Sequence, residues 1–239
     1  MQRNDPELQS SQVDVWRVRL DVKPDSIQQL RATLSVDEIA RASRFHFDKD
    51  QHSYIVAHAS LRDVLSRYLQ FETHHLKFSV NQYGKPFLPE HDIEFNLSHA
   101  GDFALIAVTR ERQVGVDVEL VRTDIEIESL ASRFFSSSEL SELMALSPEQ
   151  RVLGFFNCWT RKEAYIKARG LGLSLPLESF DVSLASDEST ILRATRPEAS
   201  EVHRWTLFSL DVHPDYTGAL AAEGVGLVIR YWDWNFADG

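Results

Sequence analysis

Apolar residues recur at helical spacing in two long stretches of this chain and at every second position in several short ones. Residues 50–70 carry Tyr54, Ala57, Leu61, Val64, Leu65 and Tyr68 on one face, which predicts an amphipathic helix. Ser147-Pro148-Glu149-Gln150 offers a cap, a proline for the first helical position and a glutamine three residues on. A helix is expected from there to about Arg169, stopping at Gly170. Ser35 with Glu38, and Ser136 with Glu139, have capping-box spacing and predict helices to about Phe45 and Leu146. Ile127–Phe135 is also expected to be helical. Alternation predicts strands at Val13–Leu20, Ile93–Leu97, Phe103–Val108 and Val114–Leu120. Further strands are expected near 179–184, 190–194, 203–211, 217–222 and 225–231. Residues 71–90 are rich in turn formers (Asn81, Gly84, Pro86, Pro89), and Ser98–Asp102 is expected to be a turn. The order of strand, helices and strands occurs twice. That predicts an α+β fold of two similar halves, residues 1–112 and 113–239.

Composition narrows the chemistry. The 239 residues can bury a sizeable core, and 43% hydrophobic with 26% charged is ordinary for a globular protein. A net charge of −11 argues against nucleic acid as a ligand, and any anionic substrate would need local cations or a metal. The single cysteine, Cys158, excludes an intrachain disulfide and fits a reducing cytosol. It lies in an apolar helical stretch and is expected to be buried and inert. No stretch approaches eighteen consecutive apolar residues, so no membrane span is expected. The polar start, MQRNDPELQSSQ, has no apolar core of a signal peptide and is expected to be a frayed tail. The expected location is the cytoplasm.

Residues 155–173, FFNCWTRKEAYIKARGLGL, place Trp159, Glu163 and Lys167 at i, i+4 and i+8, on one helix face. Residues 115–119, GVDVE, put Val116, Val118 and Leu120 on one strand face and Asp117 and Glu119 on the other. Same-face residues two apart are roughly 7 Å apart at Cα, so both carboxylates can reach one cation. With Glu163 as a third oxygen donor the set suits a hard divalent ion such as Mg²⁺. Each element alone is equally what a solvated strand face and a surface helix pair look like. Other constellations carry less. Ser98 and His99 are adjacent, so in an extended segment their side chains diverge and form no hydrolase dyad. His74-His75 and the scattered histidines lack metal-ligand spacing. Gly170-x-Gly172 follows a helix and is expected to cap it.

The combination is more specific than its parts. G-V-D-V-E, followed some forty residues later by W-x-x-K-E-A-x-x-K-x-x-G-x-G-L, resembles the signature pair of the Sfp-type 4′-phosphopantetheinyl transferases. Tyr83-Gly84-Lys85-Pro86 and Phe95-Asn96-Leu97-Ser98-His99 with Gly101 resemble a third block of that family, in the family's order. The resemblance runs from about Arg41 to about Phe180. It implies a pseudo-two-fold pair of α+β halves with the active site in the cleft between them. It implies a monomer that moves the phosphopantetheine arm of coenzyme A to a serine of an apo acyl or peptidyl carrier protein, releasing 3′,5′-ADP. By the same resemblance Asp117, Glu119 and Glu163 hold Mg²⁺, Glu163 deprotonates the serine and Lys167 neutralises phosphate. Arg41, Lys85, Ser98 and His99 meet the nucleotide end of coenzyme A. Val121, Arg122 and Arg133-Phe134-Phe135 match the carrier-docking region. The chain departs from the family's founding member at Glu38 and Tyr54, where Lys and Thr stand, which puts the outer phosphate contacts in question. Two rivals are a non-catalytic coenzyme A or nucleotide-binding module and an Mg²⁺-dependent pyrophosphatase, which would cleave coenzyme A without a carrier.

Overall fold

The two stretches with helical spacing fold as helices of equal length, and the rest of the chain repeats around them. A computed structural model describes residues 6–185, 191–196 and 198–236. In the first half β1 (Gln12–Arg19) is followed by α1 (Pro24–Arg31), α2 (Val36–Ala42) and α3 (Asp48–Leu69), then by the short pair β2 (Ser79–Val80) and β3 (Pro86–Phe87), then β4 (Ile93–Ala100) and β5 (Phe103–Arg110). The second half runs β6 (Val114–Leu120), α4 (Ile127–Phe134), α5 (Ser137–Ala145), α6 (Pro148–Arg169), the short pair β7 (Phe180–Val182) and β8 (Leu192–Thr195), then β9 (Trp205–Leu210) and β10 (Tyr216–Glu223). A last strand, β11 (Val228–Trp234), follows. Helices α3 and α6 each span 22 residues.

Strand order repeats as well. The first sheet is β11-β1-β5-β4 and the second β6-β10-β9. The triplets β1-β5-β4 and β6-β10-β9 are antiparallel throughout, so they correspond strand by strand. One core lies between α3 and a face of the first sheet, and another between α6 and a face of the second. A third joins the sheets face to face through Val13, Val15, Leu105, Ala107, Val116, Val118 and Leu220. The layers are therefore helix, sheet, sheet, helix. The fold is α+β with two similar halves. β11 breaks the equivalence: it pairs in parallel with β1, so the last strand of the second half completes the sheet of the first.

The pattern of capping explains why both long helices sit where they do. Ser35 and Glu38 form a capping box at the start of α2, and Ser136 and Glu139 form one at the start of α5. Each glutamate has a second duty. Glu38 Oε2 accepts from Arg62 Nε at 2.8 Å, and Glu139 Oε2 lies 2.7 Å from Lys162 Nζ. Each cation then reaches two backbone carbonyls in the turn after its long helix. Arg62 donates to Thr73 and Leu76, and Lys162 to Leu177 and Phe180. A buried charge is tolerable only when paired and fully hydrogen-bonded, and both pairs meet that condition.

Some expectations needed correction. Ser98–His99–Ala100 is not turn but the end of β4, because Ser98 pairs opposite Leu105 and Ala100 opposite Phe103. The turn is Gly101-Asp102, with Gly101 at φ +54°, where a glycine is favoured. Ser147 does precede α6, yet its side chain makes no capping bond. The helix α1 and the pair β2–β3 were not expected, since each is too short to show a period. Leu8 is buried in the first core, so residues 6–9 of the polar start are not all frayed. The expected strand near 190–194 is β8, and residue 190 lies outside the described residues.

Two predictions follow from the paired glutamates. Lys162→Met leaves Glu139, only 1% exposed at its side chain, without its cation, and should cost about 3–5 kcal/mol in urea unfolding. Arg62→Met should cost less, because Glu38 also lies 3.6 Å from His58 Nδ1. A cost below about 1 kcal/mol for Lys162→Met would remove this pair as an anchor of the fold. The second concerns acid. Burial raises the Glu38 carboxyl, but hydrogen bonds from His58, the Ser35 backbone and Arg62, with the Arg62 charge, bring it down to about 2. A lowered folded value gives stability that is complete above the ordinary 4.5 and is lost as pH falls through about 2. Glu38→Gln should therefore flatten the acid limb of the stability curve over that window and leave its slope at neutral pH unchanged.

Candidate active site

Period two along β6 sends Val116 and Val118 into the core between the sheets and turns Gly115, Asp117 and Glu119 toward α6. Gly115 is required there. A Cβ at Gly115 would lie 2.2 Å from both the Ala164 carbonyl oxygen and the Ala168 nitrogen. Strand backbone and helix backbone therefore touch. That contact brings Asp117 and Glu119 beside Glu163 and Lys167, which flank Ala164 and Ala168 on α6.

β4 forms the other wall. Its residues alternate: Phe95 and Leu97 pack against the α3 core, while Asn96 and Ser98 turn toward β6. Asn96 Oδ1 accepts the Val116 N–H at 2.9 Å, and Ser98 Oγ donates to Asp117 Oδ1 at 2.9 Å. Lys167 Nζ donates to Asp117 Oδ1 at 2.6 Å and to Ser98 Oγ at 2.9 Å. The other oxygen, Asp117 Oδ2, is buried and has no hydrogen-bond partner.

The electrostatics show a shortage of positive charge. Burial raises the Asp117 carboxyl although Lys167 and Ser98 oppose it. Glu119 is pushed up to about 7 by burial and the neighbouring Asp117, against Lys167 and a hydrogen bond with Trp159. Glu163 is raised by burial and by Asp117, with Lys167 opposing. Three carboxylates share one lysine. The donor set is all carboxylate oxygen, with one buried oxygen unsatisfied, and this fits a hard divalent cation. The oxygens of the three carboxylates do not all lie within 4.8 Å of one another, so sharing one ion would need side-chain rotation.

A second group lies on the α3 side. Arg41, in the last turn of α2, holds its guanidinium 5.8 Å from the Tyr54 ring centroid. Tyr54 stacks on His58 at 4.0 Å. His99 is held below its usual value first by burial, then by His58 and Lys167, with Asp50 opposing. Arg41, Tyr54, His58 and His99 thus form a row leading toward Lys167. His58 was not expected. Its signal was its place one turn after Tyr54, on a helix face that otherwise looked like core.

Lys85 is placed differently from the expectation. Its amine faces Val114 O at 3.0 Å, Ala168 O at 3.1 Å and Gln113 Oε1 at 3.3 Å. Burial brings it down to about 8, with Glu94 opposing. Asn81 Nδ2 donates to Gly170 O at 2.8 Å, so the 81–85 turn is fastened to the C-terminus of α6. There a cation is favoured by the helix dipole and the free carbonyls. Lys85 thus ties the two halves together, with its amine on carbonyls of β6 and α6. Beyond the metal strand, Phe135 is buried and stacks on Phe155 at 5.3 Å. Phe134 is half-buried against Trp159 at 5.6 Å, with the exposed Arg133 over its outer ring face at 5.0 Å. Val121 is half-buried, and Arg122 is exposed. Cys158 is fully buried, and burial raises its thiol well above the usual value, as expected of an inert residue.

Comparison with known proteins agrees with this arrangement. The sequence model of the 4′-phosphopantetheinyl transferase superfamily matches residues 113–221, and that of the 4′-phosphopantetheinyl transferase N-terminal region matches 21–111. The 4′-phosphopantetheinyl transferase HetI of a Nostoc strain is 38% identical over 231 residues, covering 95% of this chain and 94% of that protein. The 4′-phosphopantetheinyl transferase Sfp of Bacillus subtilis is 35% identical over 161 residues, covering 67% of this chain and 70% of that one. A crystal structure of the Thermotoga maritima holo-[acyl-carrier-protein] synthase overlaps 46% of this chain and 62% of its own, with a TM-score of 0.37 and 21% identity. Two family models that together span residues 21–111 and 113–221, and 38% identity over nearly the whole of both chains, settle it: this chain belongs to the 4′-phosphopantetheinyl transferase family.

Proposed function

We propose that the chain transfers the 4′-phosphopantetheine arm of coenzyme A to a serine hydroxyl of an apo carrier protein, using Mg²⁺ held by Asp117, Glu119 and Glu163. The observation that carries the metal reading is Asp117 Oδ2, a buried carboxylate oxygen without a partner beside two further carboxylates of raised proton affinity. Bound there, Mg²⁺ would neutralise charge developing on the pyrophosphate oxygens. Lys167 carries its charge to the phosphate that leaves with 3′,5′-ADP. Ser98 orients Asp117 and Lys167 through its two hydrogen bonds. Glu163 removes the serine proton, directly or through one water; a carboxylate raised by burial is a better base than an exposed one. The serine oxygen then bonds to the phosphorus nearest the pantetheine as the bond to the departing ADP phosphate breaks. Arg41 and His99, with His58 between them, supply the positive row for the nucleotide end.

The carrier docks beside Phe134, Arg133, Val121 and Arg122. Phe134 rests on Trp159, which bonds Glu119, so a partner seated there would bring its serine to the metal site. The single cysteine fits a reducing compartment, and our reading is of a monomer working in the cytoplasm. Among the described residues no helix is long and apolar enough to cross a membrane. The binding-module reading does not account for three crowded carboxylates around one lysine.

Release of 3′,5′-ADP from coenzyme A should require an apo carrier, and phosphopantetheine should appear on the carrier by mass. Release without a carrier would favour a pyrophosphatase, and no release with a panel of carriers would favour a binding module. Asp117→Asn keeps the shape of the side chain and should lower turnover at least a hundredfold, about 2.7 kcal/mol, while the protein stays folded. Retention of more than a tenth of the wild-type rate would end the metal assignment.

Lys167 gives a separate test by binding alone. Its amine now offsets the Asp117 charge. Removing it leaves the three carboxylates without a cation, so Lys167→Met should bind Mg²⁺ more tightly in calorimetry without coenzyme A, by up to about tenfold. The same variant should turn over poorly with saturating coenzyme A and carrier. Weaker Mg²⁺ binding in Lys167→Met would show that the lysine supports the ion site and does not hold its place.

A further inference from the structure

The turn after α3 brings together a different kind of donor set. Glu72, His74 and His75 each place one ligand atom within 4.8 Å of the others. Glu72 Oε2 lies 3.5 Å from His74 Nε2, and the two imidazole rings are 4.1 Å apart at a 54° tilt. The sequence argued against a metal here because His74-His75 lacks metal-ligand spacing. Thr73–His75 is a turn of 3₁₀ helix, preceded by Glu72 in extended backbone, and the three side chains bring their ligand atoms together there.

We propose that Glu72, His74 and His75 form a binding site for a first-row divalent transition metal, with Zn²⁺ as the reference ion. A tetrahedral ion with ligand bonds of about 2.0–2.1 Å needs donors about 3.4 Å apart. Glu72 and His74 already stand at that separation. His75 closes the set by side-chain rotation, which is inexpensive because all three residues are exposed. A fourth position stays open to water.

The backbone beneath them is fixed. Arg62, itself buried and paired with Glu38, donates one Nη1 to both Thr73 O (2.9 Å) and Leu76 O (3.1 Å). Leu76 is buried in the first core and holds the far end of the turn. A site on backbone already ordered loses less entropy on binding than one on a free loop. Two imidazoles and one carboxylate prefer zinc, nickel or copper to magnesium, the reverse of the all-carboxylate site on β6. Glu72 and His74 border a cavity of about 630 Å³ that Trp234 and Phe236 also line. An ion on the turn would therefore tie down the rim where the C-terminal strand packs, and its effect is on stability.

The test is Zn²⁺ calorimetry on the full chain in excess Mg²⁺, with thermal unfolding alongside. Wild type should bind one more equivalent of Zn²⁺ than His74→Ala/His75→Ala, and only wild type should gain thermal stability from that equivalent. His52→Ala, which alters an exposed histidine on the first half of α3, should behave as wild type. Mg²⁺ binding should be the same in all three proteins. Equal Zn²⁺ stoichiometry and affinity in wild type and the double variant would overturn the site. So would loss of the same equivalent in His52→Ala, or no uptake by wild type at about 1 mM Zn²⁺, an affinity weaker than about −4 kcal/mol.

Discussion

Strand β6 lies backbone to backbone on α6 at Gly115, and the chemistry of this protein depends on that contact. Any side chain there would push the strand off the helix and carry Asp117 away from Lys167, whose 2.6 Å contact is the tightest tie across the seam. The contact has an electrostatic cost. It gathers Asp117, Glu119 and Glu163 in partly dry surroundings, where like charges raise one another's proton affinity. Nothing in the packing demands three acids; apolar side chains would stabilise the seam better. The arrangement makes sense as a site whose missing positive charge is supplied from outside.

The first half uses the same frame for the opposite purpose. Arg62 and Lys162 occupy equivalent positions on the two long helices, so Asp63 corresponds to Glu163 and Arg67 to Lys167. On the strands, Trp16 lies opposite Ile106, the fourth residue of β5, and Asp117 opposite Ala219, the fourth of β10. Where the second half keeps a carboxylate, the first has an indole. Trp232 of β11 stacks on Trp16 at 5.3 Å, Arg67 lies over Trp16 at 5.0 Å, and Trp234 Nε1 donates to Asp63 at 2.9 Å. The equivalent ion pair, Asp63 with Arg67, is thus paired within its own helix and covered by the last strand. In the first half this position is filled by stacked indoles and an ion pair within one helix, while in the second it holds carboxylates and a lysine. This difference follows from where β11 goes.

Much of this was legible in the sequence, for physical reasons that can be named. The long helices showed because 22 residues hold several repeats of the 3.6 period, and α2 and α5 showed because their capping boxes are local. Asp117, Glu119, Glu163 and Lys167 were found because strand and helix periods fix faces without any tertiary information. What escaped depended on contacts between distant segments. The parallel partner of β1 lies more than two hundred residues away, and nothing in residues 225–231 says which sheet they join. Lys85 stands in a motif that pointed to the nucleotide, and its contacts with carbonyls of β6 and α6 are ones that only the fold brings near. Lys162 was hidden in the K-E-A motif as one letter of a pattern, although it holds the α5–α6 core together. That Glu72, His74 and His75 bring their ligand atoms together depends on the local fold of the turn after α3, which no spacing rule shows.

The proposed function sets an anionic substrate against a net charge of −11, and the row from Arg41 to Lys167 is where we propose that it meets positive charge. One of its members, His99, is held below its usual value first by burial and then by His58 and Lys167. A phosphate beside it would act in the opposite sense, since an anion favours the charged form of an imidazole. His99 would thus gain charge as the anion binds. A row of lysines in the same place would be fully charged in both states and would have to be stabilised by acids when empty. Glu38 is no such counter-ion for the whole row: it is committed to Arg62, the Ser35 backbone and His58, on the side of the row away from Lys167. The replacement of a lysine by Glu38 in this chain is therefore a change in how the first half is held together, and the positive charge that the cleft needs comes from residues on α2, α3, β4 and α6 instead.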